Sequence, residues 1–275
     1  MNIFSRIRKR TNDEGLESVI SYFLRKINIH SQYPTFLDKK TNRLSDQIYK
    51  KNKGKVSDGI YKGLKLTDSN VHGSKLIGEY EKQIQIKIYA LKKKYKLTNI
   101  VNFGTAEGYH ILGAIKNLNF SKGLAFEIDS QIKKTLNINI NLNKLNKKIK
   151  VFNEANFDKV IDNIRLNSLN TTLFLIDIEG EEFNILNKKN IKMIKKSFLI
   201  IENHDFYIKN KKKVKNLFTN LQKYFYIEKI NSPSKNPLYG INSIKSFSEI
   251  EKWMIISEGR KEPMNWIICI PKGFK

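Results

Sequence analysis

Short apolar runs alternate with longer segments of helical periodicity from about residue 97 onward. This alternation is typical of βαβ units, in which the strands form a largely parallel sheet and the connections cross its faces. We therefore predict an α/β fold with a Rossmann-like, seven-stranded, mostly parallel sheet and helices on both faces. The predicted strands are Asn99 to Phe103, Gly123 to Ile128, Ile149 to Asn153, Thr172 to Asp177, Phe198 to Asn203, Tyr226 to Asn231 and Trp266 to Pro271.

The segments between the strands predict the crossover helices of such a sheet. These helices are expected at 108–116, 130–145, 158–166, 182–186 and 211–224. The last crossover, 231–265, is too long for a plain loop and contains a helix-like stretch at 249–256. We expect this crossover to be an insertion on the substrate side of the sheet.

The N-terminal part of the chain lacks the alternation. Segments 16–27 and 77–94 predict helices, whereas 50–73 is rich in Gly and Lys and has no clear period. The expected organisation is a mainly helical extension over 1–95 followed by the sheet domain over 96–275.

The chain is strongly basic, with 51 Lys and Arg against 26 Asp and Glu and a formal charge of +25. Such a charge raises the hypothesis of a nucleic-acid or anionic-membrane partner. However, only seven of the 51 basic residues are Arg. Proteins that read the grooves of DNA or bind phosphates rely on Arg, because its planar guanidinium donates paired hydrogen bonds. The chain is also rich in Lys, Ile and Asn, whose codons are AT-rich, so coding bias accounts for much of the excess. A nucleic-acid partner therefore stays an alternative.

Simple counts exclude several classes. No apolar run is long enough to span a bilayer, and the basic start, residues 1–10, leads into no apolar segment of a secretory signal. A single cysteine, Cys269, excludes an internal disulfide framework. The four histidines are too far apart for a structural zinc site, so we predict no metal site. We expect a cytoplasmic protein, with membrane docking of the basic start left open.

Two glycines four residues apart, Gly104 and Gly108, lie between the first predicted strand and its helix. Their position predicts a tight turn at which a ligand approaches the backbone. The spacing is not the GxGxxG that cradles a pyrophosphate, so it favours a ligand without phosphate. S-adenosylmethionine is such a ligand.

Acidic residues follow three of the predicted strands. Glu127 ends the second strand, where its two oxygens can accept hydrogen bonds from both hydroxyls of a ribose. The fourth strand ends in Asp177-Ile178-Glu179-Gly180-Glu181-Glu182, which delivers carboxylates to the edge where open α/β folds bind ligands. We interpret Glu181 as part of a helix first turn, where it complements the dipole.

The fifth predicted strand ends in Ile201-Glu202-Asn203-His204. Histidine is the natural proton acceptor near neutral pH, so His204 is the candidate general base.

Together these motifs resemble those of FkbM-type S-adenosylmethionine-dependent methyltransferases. The resemblance covers about residues 95–270 and rests on Asn102-x-Gly104-x-x-x-Gly108-Tyr109, Glu127, Asp177-x-Glu179-Gly180-x-Glu182 and Glu202-x-His204. Upstream, residues 59–66 and 76–81 are similar to the lead-in of some members. It implies a class I methyltransferase fold and O-methylation of a hydroxyl on a glycan or small metabolite.

The resemblance also implies roles for individual residues. On the cofactor side, Tyr80, Glu81 and Asn102 would enter the site, Gly104, Glu107 and Gly108 would line the methionine portion, and Glu127 and Glu154 would face ribose and adenine. Asp177 would lie near the methionine amine and the transferred methyl group. Catalysis would rest on Asp177, Glu179 and His204, and Glu182 and Glu202 would face the acceptor.

Asn102 departs from the family pattern, which usually has Asp at this position. Asn both accepts and donates hydrogen bonds, so it can serve a site with different partners. The alternatives at this stage are a nucleic-acid methyltransferase and a non-catalytic binding protein on a degenerate methyltransferase fold. A third, a nicotinamide-dependent reductase of sugar nucleotides, is disfavoured by the missing GxGxxG. The sequence does not name the acceptor or the oligomeric state.

Overall fold

The computed structural model describes residues 36–67, 71–232, 236, 241–258, 260 and 264–274. The basic start and the helix predicted at 16–27 lie outside these residues.

All seven predicted strands are confirmed, with bounds that differ by at most two residues. They are β1 (Asn99–Phe103), β2 (Lys122–Phe126), β3 (Ile149–Phe152), β4 (Thr172–Ile176), β5 (Phe198–Glu202), β6 (Phe225–Asn231) and β7 (Asn265–Pro271). They form one sheet in the order β3-β2-β1-β4-β5-β7-β6. Strands β1 to β5 pair in parallel, and β7 pairs antiparallel with both β5 and β6. The sheet is therefore mostly parallel, as predicted.

The strand order reverses between β1 and β4. A crevice opens at such a switch point, outside the carboxyl ends of the strands, and ligands of doubly wound folds bind there. The turn after β1 begins at Gly104 and the turn after β4 at Asp177, so this topology brings two predicted site segments to one place. The Asp177 N–H donates to the Phe103 carbonyl at 3.0 Å, which fixes the two turns against each other.

The helices of the described residues are α1 (Phe36–Asn52), α2 (Gly73–Leu76), α3 (Lys82–Tyr95), α4 (Tyr109–Asn117), α5 (Ser130–Leu142), α6 (Phe157–Asn163), α7 (Glu182–Ile185), α8 (Lys188–Met193), α9 (Lys211–Tyr224) and α10 (Glu249–Ile256). Short 3₁₀ turns lie at Leu166–Thr171, Asp205–Tyr207 and Asn242–Ile244. Helices α1, α2 and α8 were not predicted. The helix expected from residue 77 begins at Lys82, because Gly78 and Glu81 have positive φ and interrupt it.

Two hydrophobic cores cover the two faces of the sheet. Alternate strand residues point to opposite faces, and neighbours such as Ile100 and Val101 accordingly lie in different cores. Helices α1, α3, α4, α5 and α10 contribute to one core, and α6 to α9 contribute to the other. The extension from residue 36 packs into the first core and is continuous with the sheet domain. No helix in the described part of the chain is long and apolar enough to cross a membrane.

Asn139 of α5 and Asn143, the residue that caps the C-terminus of α5, attach the extension to the domain. The buried Asn143 side chain accepts from the Lys65 N–H at 3.0 Å and donates to the Lys65 carbonyl at 2.7 Å. One turn earlier, Asn139 accepts from the Thr67 N–H at 2.8 Å and donates to the Glu107 carbonyl at 2.9 Å. The asparagine side chains thus hydrogen-bond to backbone groups of the extension and of the turn after β1.

Asn143→Ala is expected to lower the free energy of unfolding by about 2 kcal/mol, because two backbone groups of the extension lose their partner. Urea denaturation of the full chain measures the change. The matched control is Asn141→Ala, an exposed position on the same helix, which should stay within about 0.5 kcal/mol of the wild type. Equal effects of the two substitutions would contradict the attachment.

Candidate functional site

A cavity of about 580 Å³ opens at the switch point of the sheet. Its walls come from the turns after β1, β2, β3 and β4, and they include Gly104, Ala106, Glu127, Glu154, Asp177 and Glu179. A smaller cavity of about 40 Å³ shares Gly104, Ala106 and Asp177 with it and is also lined by Lys75, Tyr80, Glu81, Asn102 and Glu107. The structure therefore gathers most of the predicted site residues around two adjoining spaces.

The glycine turn is shaped by its packing on the protein itself. Gly104 has φ +74°, and a Cβ on it would lie 1.6 Å from the Asp177 carbonyl oxygen. Gly108 has φ +99°, and a Cβ there would lie 2.7 Å from Leu136 of α5. Both glycines are therefore required by close approach and by positive φ. At Gly104, the approaching group is the backbone of the neighbouring turn.

Glu127 is buried at the edge of the larger cavity. Its Oε2 accepts from the Ala106 N–H at 2.8 Å, and its Oε1 accepts from the Asp129 N–H at 2.9 Å. A carboxylate has about four acceptor sites, so each oxygen retains one lone pair. The side chain is fixed by the backbone and can still accept two hydrogen bonds. Glu154, after β3, is exposed and also lines this cavity.

Asn102 lies in the middle of the sheet, on β1. Its side-chain amide donates to the Leu175 carbonyl at 3.3 Å, and the residue lines the smaller cavity. A carboxylate at this position would face that carbonyl without a proton to donate. The amide therefore fits its surroundings, which gives the departure from the usual Asp a local physical reason.

Glu81 stands at the centre of a buried ionic network. It has φ +44°, and its carboxylate binds His110 Nε2 at 2.7 Å and the guanidinium of Arg260. Burial alone would raise its pKa, but the hydrogen bond and charge of His110, with Arg260 and Lys75, hold the pKa below its usual value. Tyr80, the preceding residue, is half-buried over the Lys75 ammonium.

Lys75 and Arg260 connect the remaining acids of this network. Lys75 Nζ lies 2.5 Å from Glu107 Oε1, and Arg260 contacts Glu202 at 2.5 Å and Glu258 at 2.8 Å. Sequence reasoning identified neither Lys75, Arg260 nor His110 as site residues. Arg260 lies in the long crossover, in which the sequence shows no recognisable motif.

His204 is buried, with 2% of its side chain exposed. Its Nδ1 lies 3.1 Å from Glu182 Oε1, and its backbone N–H donates to the same oxygen at 3.1 Å. The other oxygen of Glu182 accepts from the Gly180 N–H at 2.9 Å. Glu182 was expected to face the acceptor; the structure places it underneath the imidazole, where it orients the ring.

The Nε2 side of His204 faces three carboxylates. Glu202 Oε2 lies at 3.5 Å, Glu179 Oε2 at 3.6 Å and Asp177 Oδ1 at 3.7 Å. Glu202 is buried and bound to Arg260. Glu179 is 78% exposed and reaches into open solvent.

The charges in this group perturb one another. Removal from water, then the charge of Glu202 and a hydrogen bond to it, raise the pKa of Asp177 well above its usual value. Burial lowers the pKa of His204, but the hydrogen bond and charge of Glu182, with Glu202 and Glu179, raise it more, so the net shift is upward. Perturbed groups at a cleft are typical of functional sites. Asp177, Glu179 and His204 are also close enough together to hold one metal ion.

The fold and site define an α/β protein with an acidic ligand crevice at its switch point. No family model and no curated protein matches the sequence. Among solved structures, the chain is similar to the O-methyltransferase from Bacillus cereus in complex with SAH, with 13% identity, TM-score 0.46, and 93% of this chain and 98% of that chain covered.

Two further structures are similar over much of the chain. The O-methyltransferase TomG from Streptomyces achromogenes, involved in tomaymycin synthesis and solved with SAM, shares 8% identity at TM-score 0.49 and covers 94% of this chain and 98% of its own. A precorrin-6y C5,15-methyltransferase from Geobacter metallireducens shares 10% identity at TM-score 0.44 and covers 68% of this chain and 87% of its own. Identity this low shows nothing about the residues of the site.

Proposed function

We propose that this protein is an S-adenosylmethionine-dependent methyltransferase of the FkbM type, which methylates a hydroxyl on a glycan or small metabolite. One observation carries the proposal: Glu127 is held at the cavity edge by two backbone N–H groups and keeps a lone pair on each oxygen. A buried carboxylate with this geometry suits the two hydroxyls of a ribose.

The cavity fits the parts of this cofactor. Near Glu127, the wall includes Phe126, Ile128 and Ile132, an apolar surface suited to an adenine, with the exposed Glu154 at its rim. Towards the smaller cavity, the charged Glu81 and the carboxyl group of Asp177 are placed to interact with an ammonium and a sulfonium. When bound, S-adenosylmethionine supplies an electrophilic methyl group.

The residues of the chain supply orientation and proton transfer. Glu182 holds the His204 ring through Nδ1, which leaves Nε2 directed at Asp177 and Glu179. In this position His204 accepts the proton of the acceptor hydroxyl, a role worth roughly 10²- to 10⁴-fold in rate. Glu179 is exposed and can bind a neighbouring hydroxyl of the acceptor, while Glu182 acts as a positioning residue.

Glu127→Gln is expected to weaken binding of S-adenosylhomocysteine about 10- to 100-fold, because a charged acceptor of two hydrogen bonds is lost. Isothermal titration calorimetry of the full chain measures the affinity. Asp129→Asn is the matched control: it removes an exposed carboxylate two residues away and keeps a good N-cap for α5.

Unchanged affinity in Glu127→Gln would refute the ribose assignment. Absence of any binding of S-adenosylmethionine or S-adenosylhomocysteine to the wild-type chain would refute the proposed function itself. Binding without turnover over a broad acceptor panel would instead support the non-catalytic alternative.

A further inference from the structure

We propose that Asp177, Glu179 and His204 bind a divalent transition-metal ion at the acceptor side of the crevice. The role of the ion in methyl transfer rests on the proposed function, whereas the ability of these residues to bind an ion does not. Sequence spacing predicted no metal site, because the three residues come from two different strand ends and only the fold brings them together.

The distances suit a single ion. One ligand atom from each residue can be chosen so that all three lie within 4.8 Å of one another. His204 Nε2 is 3.7 Å from Asp177 Oδ1 and 3.6 Å from Glu179 Oε2. Ligands bound at about 2.1 Å in tetrahedral or octahedral geometry are separated by roughly 3 to 3.5 Å, so small side-chain movements complete the site.

One buried polar atom of the group, within the described residues, has no hydrogen-bond partner. Asp177 Oδ1 is shielded from solvent and has no hydrogen-bond partner in the described part of the chain. His204 is 2% exposed, and within the described residues its Nε2 has carboxylates only at 3.5 Å or more. A buried acceptor without a partner, such as Asp177 Oδ1, is costly unless something binds it.

Glu182 orients the His204 imidazole so that Nε2 can act as a metal ligand. Its contact with Glu182 fixes Nδ1 as the protonated nitrogen and leaves the Nε2 lone pair free. A carboxylate behind a ligating imidazole is the usual arrangement at metal sites, where it sets the tautomer and the ring orientation. The buried Glu182 has 1% of its side chain exposed, so this support is rigid.

The local charge also favours a cation. His204 is surrounded by Asp177, Glu179, Glu182 and Glu202, and among the described residues the cation bound to this group is Arg260, which pairs with Glu202 and Glu81. Glu179 is 78% exposed, which leaves coordination positions open to water or an acceptor oxygen. One imidazole with two carboxylates suits Mn²⁺ or Zn²⁺ better than Ca²⁺.

With the ion bound, Nε2 is a ligand and accepts no proton. The ion then lowers the pKa of a hydroxyl bound to it, and the hydroxyl proton passes to solvent. His204 acts as the proton acceptor in the metal-free protein, and as a metal ligand in the loaded protein.

Mn²⁺ titration of the full chain, followed by electron paramagnetic resonance of the free ion, tests the site. We expect one ion per chain, with affinity reduced at least 10-fold in His204→Gln and in Asp177→Asn. Glu181→Gln is the matched control, because Glu181 lies exposed on the same turn and its carboxylate binds Asn184. It should bind Mn²⁺ like the wild type.

The inference is overturned if the wild type binds no Mn²⁺ at 1 mM. It is also overturned if His204→Gln and Asp177→Asn both bind Mn²⁺ with the affinity of the wild type. Circular dichroism identifies a variant that fails to fold, and the other ligand variant then decides. S-adenosylhomocysteine calorimetry is read separately: if it fails while Mn²⁺ binds, the proposed function is refuted and the metal site stands.

Discussion

Gly104→Ala is expected to abolish binding of S-adenosylhomocysteine and to lower the free energy of unfolding by about 4 kcal/mol or more. The new Cβ would lie 1.6 Å from the Asp177 carbonyl oxygen and 2.7 Å from its carbonyl carbon. Because both groups are backbone, relief requires that the turns after β1 and β4 separate. The left-handed φ of +74° adds about 1 to 2 kcal/mol.

Gly63→Ala is the control for the conformational part of this effect. Gly63 has φ +83°, but a Cβ there meets no atom within 4 Å in the described structure. It should lose about 1 to 2 kcal/mol and keep full ligand binding. Denaturant unfolding and calorimetry compare the two variants. Similar stability losses in both would mean that the two turns are not packed as tightly as the structure places them.

His204→Gln is expected to reduce the rate of methyl transfer about 10²- to 10⁴-fold without a comparable loss of S-adenosylhomocysteine affinity. Glutamine can occupy much of the space but neither accepts a proton near neutral pH nor ligates a cation as well. Formation of S-adenosylhomocysteine over a panel of sugars and phenols, measured by mass spectrometry, gives the rate. It also separates kcat from KM.

Tyr207→Phe is the control for the second prediction, because its ring lies parallel to the His204 imidazole and is exposed. It keeps the ring and removes only the hydroxyl, so its kcat should stay within a few fold of the wild type. A His204→Gln variant with wild-type kcat would remove His204 from the catalytic group.

The strands were predictable because their burial leaves a local signal. A strand covered on both faces, such as β4 or β5, is a continuous apolar run, and its end is marked by the first charged residue. The carboxyl-edge position of Asp177 and Glu202 follows from the same signal. The position of Glu127 at a strand end was predictable from the sequence. Its two backbone hydrogen-bond donors were not, because they depend on how the neighbouring turns pack.

The parts that could not be predicted depend on contacts between distant segments. Lys75 and Arg260 have no local pattern that distinguishes them from the many other basic residues, and only the folded chain places them beside Glu107 and Glu81. Glu182 resembled its neighbouring acids in sequence. The positive φ of Glu179 and Gly180 turns the chain so that Glu182 is buried beneath His204.

Arg260 makes the long crossover before β7 part of the electrostatic balance of the crevice. Its guanidinium pairs with Glu81, which directly precedes α3, and with Glu202, which ends β5, and both carboxylates are buried. Loss of this guanidinium would leave the buried Glu202 carboxylate without its Arg partner, at a cost of about 3 to 5 kcal/mol, whereas Glu81 would keep His110 and Lys75 as partners. A ligand that displaces Arg260 therefore has to bring its own cation to Glu202, so the position of the crossover is coupled to the charge of the crevice.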